Sequence, residues 1–172
     1  AGDAWRLLLE TAADADVPLV YASSAATYGT PTEVERREAF QEMSAGVPNN
    51  VYGFSKWLME TAHRRFAGER LAAGEPEPRI VGLRYFNVFG PGEASKGGMA
   101  SMAYQLAQQV IAGQRPRQFA DGTQTRDQVF VDDIVGITMA AVGMGSKESP
   151  VPGVYNAGSG QATTFEQVAS AV

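Results

Sequence analysis

The amino-acid sequence predicts an α/β protein with a parallel sheet, on three observations. Helix-period apolar stripes alternate with short apolar runs of strand length at 17–22, 79–85 and 154–156, the pattern of parallel strands joined by crossover helices. The first run, Val17-Pro18-Leu19-Val20-Tyr21-Ala22, has the composition of a strand buried on both faces. The first two runs end in small, hydroxyl or turn-forming residues, Ser23-Ser24-Ala25 and Phe86-Asn87-Val88. The carboxyl ends of such strands are where open α/β sheets take ligands.

Residues 3–15 read as a helix, with Trp5, Leu8, Leu9 and Ala12 on one stripe. Pro18 falls at the start of the first strand, where a missing N–H is tolerated. The hydroxyls after that strand suit ligand contact, with capping of a nearby turn as the alternative for Ser24. Residues 30–49 carry charges, Pro31, Gly46 and Pro48, and read as an irregular surface excursion. A second helix opens at Tyr52 and runs to about Phe66, packing through Trp57, Leu58, Thr61 and Ala62. His63, with no acidic or metal-binding neighbour in the sequence, is expected at the surface. Residues 68–78 form a breaker-rich loop, and the strand 79–85 ends in a turn through Gly90-Pro91-Gly92.

Lys96-Gly97-Gly98 lies in a loop whose glycines would let a ligand approach the backbone; a solvated lysine is the alternative. Met99, Met102, Ala103, Leu106 and Val110 form a helical stripe stopped by Gly113. Phe119-Ala120-Asp121-Gly122 reads as a tight turn. Val129 to Val131 is strand-like, and Asp132 is placed to cap a helix over 133–143. Arg126, just ahead, has a planar fork suited to a diphosphate, with an ion pair to Asp127 or another carboxylate as the alternative. After the strand 154–156, Thr163 or Thr164 opens a last helix.

Composition narrows the function. The chain has 172 residues and a net charge of −5, which suits one domain with a real core or a large part of one. No basic cluster marks a nucleic-acid surface. No apolar run approaches the roughly 20 residues that span a membrane, and no signal-peptide pattern opens the chain. Cysteine is absent and His63 is the single histidine, which excludes disulfides, thiolate metal sites and a histidine-based triad. The expectation is a cytoplasmic protein without a metal.

The chemistry-bearing stretch is Asn50-Val51-Tyr52-Gly53-Phe54-Ser55-Lys56. Residues four apart lie on one helical face. An ammonium close to a phenol favours the ionised form, so such a pair suits taking and returning a hydroxyl proton near neutral pH; an ordinary amphipathic helix with a solvated lysine is the alternative.

The order of motifs is strand–Ser-Ser-Ala, Tyr-x-x-x-Lys, strand–Arg-Tyr-Phe-Asn-Val-Phe-Gly-Pro, then Arg-Asp-x-Val-Phe-Val-Asp-Asp. This ordered set covers nearly the whole chain and resembles the extended short-chain dehydrogenase/reductase superfamily of nucleotide-sugar epimerases and dehydratases. Within it, Tyr21-Ala22-Ser23-Ser24-Ala25-Ala26-Thr27-Tyr28-Gly29 and Lys96-Gly97-Gly98-Met99-Ala100-Ser101 look most like the ADP-L-glycero-D-manno-heptose 6-epimerases. The resemblance implies a Rossmann-like fold. Residues 1–92 would be what remains of the nucleotide-binding domain. Residues 93–172 would be mostly the small substrate-binding part, with 125–145 and 151–160 as candidates to return to the Rossmann-like sheet.

The resemblance also implies residue roles. Tyr52 is a catalytic acid/base, Lys56 binds the nicotinamide ribose and tunes Tyr52, and Ser24 hydrogen-bonds the reacting hydroxyl. Asn87 contacts substrate, Val88 lies near the cofactor, and Lys96 matches a second acid/base that also meets the cofactor. Gly98, Gln105 and Phe119 fall at substrate-contact positions, and Arg126 matches an arginine for the substrate diphosphate. Gly98 stands where the family often has Ser, and Gln105 where it has His. The loop from Phe119 to Arg126 is one residue shorter than in the enterobacterial form.

The implied reaction interconverts the two ADP-glycero-D-manno-heptose epimers by transient oxidation at C6, with NADP or NAD as cofactor. The implied partner is a nucleotide-diphosphate sugar, and the full-length protein would be a homo-oligomer. A UDP-hexose 4-epimerase remains open, because the same Ser–Tyr–Lys set serves it, as does a non-catalytic binding module. A dehydratase places an Asp–Glu pair where this chain has Ala25 and Ala26. The Gly-rich pyrophosphate turn that opens the superfamily does not occur, and Gly158-Ser159-Gly160 comes too late to be it. The chain is therefore expected to be a fragment with weak or no dinucleotide binding.

Overall fold

The computed structural model describes residues 2–31, 40–117, 122–145 and 151–172. In chain order the elements are α1 (Gly2–Asp14), β1 (Leu19–Ser24), α2 (Val51–Ala72), β2 (Ile80–Tyr85), β3 (Asn87–Phe89), α3 (Met102–Ile111), β4 (Thr125–Phe130), α4 (Val131–Ala141), β5 (Gly153–Ala157), β6 (Ala162–Thr164) and α5 (Phe165–Ala171). This is the α/β class with a parallel sheet. The chain divides into two compact units: residues up to Tyr85 with Gly136–Ala157, and Phe86–Val135 with Gly158–Val172.

The first unit holds an all-parallel sheet in the order β1-β2-β5. The register pairs Tyr21 with Gly82, Ser23 with Arg84 and Ser24 with Tyr85, and β5 joins by pairing Arg84 with Asn156. Central β2 is buried from Ile80 to Arg84. β1 differs from its expected two-sided burial: Tyr21 and Ser23 are buried but Ala22 is exposed. It lies at one edge of the three strands, with α2 packed on it. Gly82 leaves room for the Tyr21 ring, because a Cβ there would stand 2.5 Å from the phenol oxygen. Leu9, Tyr21, Phe66 and Ile80 make the core, with Trp5, Ala13, Leu19 and Met59 packed around it.

On α1 the inner line is Trp5, Leu9 and Ala12, while Leu8 is exposed. The helix α2 departs further from the sequence pattern. Its buried residues are Gly53, Glu60, His63 and Phe66, whereas Leu58 and Thr61 are exposed. The inward face is set by polar groups with buried partners, so an apolar count points to the wrong side. His63 is buried, not at the surface. The helix also runs past Gly68 to Ala72 and breaks at left-handed Gly74.

In the second unit β4 pairs with β3 in parallel and with β6 antiparallel. Thus β4 belongs to this sheet, while β5 belongs to the β1-β2-β5 sheet. Ser101 caps α3, whose Leu106 is buried. Met99 lies ahead of the helix and is exposed, as is Val110, so neither belongs to a buried stripe. Helix α4 begins at Val131, with Asp132 and Asp133 in its first turn. Thr164 caps α5 in a reciprocal capping box with Gln167. No helix among the described residues is long and apolar enough to cross a membrane, and no cluster of metal-ligating side chains occurs among them.

Candidate active site

The end of β1 and the start of α2 hold the predicted Ser–Tyr–Lys set. Ser24 is extended, at φ −153° and ψ 148°, and caps a short 3-10 turn over Ala25–Tyr28. Its Oγ accepts from the Ala26 N–H at 3.1 Å, and its carbonyl accepts from the Thr27 hydroxyl at 2.8 Å. Asn50 caps α2 by accepting from the Gly53 N–H at 2.8 Å. A Cβ on Gly53 would come within 2.5 Å of the Ala26 carbonyl oxygen. Glycine at 53 thus lets the first turn of α2 lie directly against the turn that Ser24 caps.

Tyr52 is 57% exposed, and its hydroxyl has no hydrogen-bond partner among the described residues. The Lys56 Nζ stands 5.8 Å from the centre of the Tyr52 ring and donates to the Ala22 carbonyl at 2.8 Å. The strand end therefore holds the ammonium beside the phenol. No hydrogen bond joins the Ser24 and Tyr52 hydroxyls.

Behind this surface lies a buried polar cluster that the sequence reading missed. Arg84, on central β2, meets both Glu60 oxygens, with Nε–Oε1 at 2.9 Å and Nη2–Oε2 at 2.6 Å. The Ser23 hydroxyl donates to the same carboxylate. Arg84 Nη1 also donates to the Tyr28 hydroxyl at 2.8 Å and to the Glu42 carbonyl at 2.7 Å. Tyr28 in turn donates to Asn156 at 2.7 Å. Burial works against the Arg84 charge, but hydrogen bonds and charge from Glu60 outweigh it and hold the guanidinium above its usual range. Burial pushes the Tyr28 phenol up. The signal that could have found this cluster is a lone arginine inside an apolar strand, which demands a buried carboxylate. Glu60, one turn past Lys56, is the carboxylate that answers it.

In the second unit, Asn87 and Val88 are half-buried on β3, opposite Gln128 and Val129. Lys96 is half-exposed, 3.8 Å from Glu93. Glu93 itself is buried and accepts from Gly90 N–H at 3.1 Å and from the Ser101 hydroxyl at 2.7 Å. Burial raises the Glu93 carboxyl, but the Ser101 and Gly90 hydrogen bonds and the Lys96 charge win and hold it below its usual range. Gly98 has nothing within 4 Å of a would-be Cβ. The Gln105 amide donates to the Ala100 carbonyl at 2.8 Å and the Gly98 carbonyl at 3.3 Å, bracing the loop after Lys96.

Arg126 donates to the Thr125 carbonyl at 2.7 Å and lies 5.6 Å from the Phe165 ring, with no carboxylate partner among the described residues. Asp127 is engaged elsewhere: it accepts from Ser159 N–H at 2.8 Å, the Ser159 hydroxyl at 2.7 Å and Gly160 N–H at 2.8 Å. The alternative Arg126–Asp127 ion pair does not form. Phe119 lies outside the described residues.

The chain matches the family model of the NAD dependent epimerase/dehydratase family over residues 4–158. Its fold is similar to that of Helicobacter pylori ADP-L-glycero-D-manno-heptose-6-epimerase, at 35% identity and a TM-score of 0.74, over 95% of this chain and 47% of that one. Thermotoga maritima UDP-glucose 4-epimerase, solved with UDP-glucose, matches at 28% identity and a TM-score of 0.76, over 96% of this chain and 50% of that one. Bacillus cereus UDP-glucuronic acid 4-epimerase, solved with UDP-glucuronic acid and NAD, matches at 25% identity and a TM-score of 0.69, over 95% and 47%. A phenol–ammonium pair at the carboxyl end of a parallel strand and a match over most of the chain define one class: the chain belongs to the NAD dependent epimerase/dehydratase family. It spans about half the length of the solved structures it matches.

Proposed function

We propose that this chain carries the acid/base machinery of an NAD-dependent nucleotide-sugar epimerase, and that its sugar nucleotide is ADP-glycero-D-manno-heptose. One observation supports the reading: the exposed Tyr52 phenol, its hydroxyl without a hydrogen-bond partner among the described residues, lies beside a lysine that a strand-end carbonyl holds in place. The residues fit the nicotinamide-ribose end of the cofactor, where Lys56 has donors left over after Ala22 and Tyr52 is open. They do not supply the pyrophosphate turn, since no such Gly-rich run occurs in the sequence. The nicotinamide, when bound, supplies reversible hydride chemistry.

Tyr52 exchanges the proton of the reacting sugar hydroxyl, Lys56 keeps a positive charge beside the phenol, and Ser24 orients that hydroxyl. Inverting a stereocentre whose hydrogen is not acidic requires passing through a ketone, which explains why one acid/base pair and a redox cofactor are paired. Lys96 is proposed as a second acid/base, Asn87, Gly98, Gln105, Phe119 and Arg126 as substrate contacts, and Val88 as a cofactor contact. The ADP-heptose substrate is favoured by the 35% identity to the Helicobacter pylori enzyme. The Thermotoga maritima match makes a UDP-hexose 4-epimerase the second reading.

Epimerisation assays on the product of the complete reading frame, with ADP-heptose and UDP-galactose, separate the two. Turnover of UDP-galactose alone would replace the first reading with the second. Replacing Tyr52→Phe is expected to cost about 100- to 10,000-fold in turnover, the usual worth of a positioned acid/base. Near-normal turnover would remove Tyr52 from the chemistry.

A further inference from the structure

Helix α2 meets β1 and the turn after it through a row of polar contacts. Gly53 lies against the Ala26 carbonyl, Lys56 donates to Ala22, Glu60 accepts from Ser23, and the His63 Nδ1 is hydrogen-bonded to the Tyr21 hydroxyl at 3.1 Å. These helix positions share one face. Their partners are the strand positions 21, 22 and 23 and, at position 26, the turn that Ser24 caps. Glu60 and Arg84 are both fully buried and paired with each other.

A buried ion pair is a poor source of net stability, because the cost of removing two charges from water roughly cancels their attraction. What it does provide is a fixed geometry. Arg84 is itself fixed, since it pairs in register with Ser23 on one side and Asn156 on the other, and donates to Tyr28 and Glu42 as well. The carboxylate thus sits at one point relative to the central strand. Ser23, the residue before Ser24, is tethered to that point.

We propose that Glu60 is a positioning residue for the candidate site: its buried carboxylate, anchored by Arg84, holds Ser23 and so fixes where the Ser24 hydroxyl stands against the first turn of α2. The proposal rests on the reading of Ser24, Tyr52 and Lys56 as the site. Glu60 touches none of the reacting groups and acts through the backbone between residues 23 and 24.

Two variants of the product of the complete reading frame test it. Ser23→Ala cuts the tether and leaves the Glu60–Arg84 pair intact. Glu60→Met with Arg84→Met removes both charges together, so neither is left buried alone. The first readout is amide hydrogen exchange at Ala26, whose N–H rests on the Ser24 oxygen, against the amides of β2. Both variants are expected to speed Ala26 exchange roughly tenfold or more while β2 stays near its original protection. Unchanged Ala26 exchange, or a rise only in step with β2, overturns the proposal; if the double variant fails to fold, Ser23→Ala decides alone.

The second readout is a split of steady-state constants, with kcat expected to fall at least about tenfold and KM nearly constant, as a misplaced reacting group predicts. An active wild-type enzyme whose kcat is untouched by either variant also overturns it. If the unaltered protein turns over no sugar nucleotide while Ala26 loosens as described, the epimerase reading fails and the positioning role stands.

Discussion

His63 is buried against the Tyr21 hydroxyl, and its surroundings govern its charge. Burial, then the positive charge of Arg64, pull its pKa down to about 4, with Glu60 pulling weakly the other way. Burial likewise pushes the Tyr21 phenol up, beyond its usual range. Below its ordinary value near 6.5 an unfolded histidine takes up a proton that the folded one refuses until about pH 4. The unfolded state therefore binds more protons in that window, and stability falls as pH drops through it. Between pH 7.5 and 5 the loss from this group is about 2 kcal/mol. Urea unfolding at the two pH values should show it, and His63→Gln should flatten the difference. An equal pH slope in both proteins would mean that the folded His63 takes up its proton at the same pH as an unfolded one.

At the scale of elements, helix α2 shows what could and could not be read. Its start was legible, because Asn50 and the Tyr-x-x-x-Lys spacing act within a few residues of one another. Its inward face was not. Glu60 and His63 are buried only because Ser23, Arg84 and Tyr21 await them, and those partners lie 37, 24 and 42 residues away. A pattern of local polarity cannot register a partner that distant, so it assigned His63 to the surface. The same limit hid the use of Asp127. Sequence reading offered it only as an alternative ion-pair partner for Arg126, whereas its carboxylate closes the Gly158-Ser159-Gly160 loop through three donors. Asp127→Ala should raise amide exchange at Ser159 and Gly160 by roughly tenfold or more, with β2 unaffected. Protection unchanged at both amides would show that the loop holds its shape without the carboxylate. By contrast the Thr164–Gln167 capping box was legible to within one residue, since both partners belong to a single turn.

At the scale of the molecule, the family was the most legible feature, because it rests on the order of several short motifs and not on any one. The α/β class followed from alternation of helix and strand. The division into two units, with β4 paired to β3 and β6 and β5 paired to β2, was harder to see, since strands as short as β3 and β6 give almost no periodic signal. The cofactor reading follows a similar split: the residues proposed for the nicotinamide end are present, and the Gly-rich pyrophosphate turn is not in the sequence. Isothermal titration of this chain with NAD or NADP should show no micromolar binding; a micromolar constant would mean that another surface cradles the pyrophosphate.

The in-step pairing of β1 with β2 carries a consequence for how such a gene can drift. A strand turns its side chains over with every added residue. One codon inserted between those for Tyr21 and Ser23 would swing the serine away from its carboxylate, and the Ser24 hydroxyl proposed to meet the sugar would move with it. Connecting segments can lengthen from lineage to lineage, but these few positions tolerate exchange of letters far better than any change in their number.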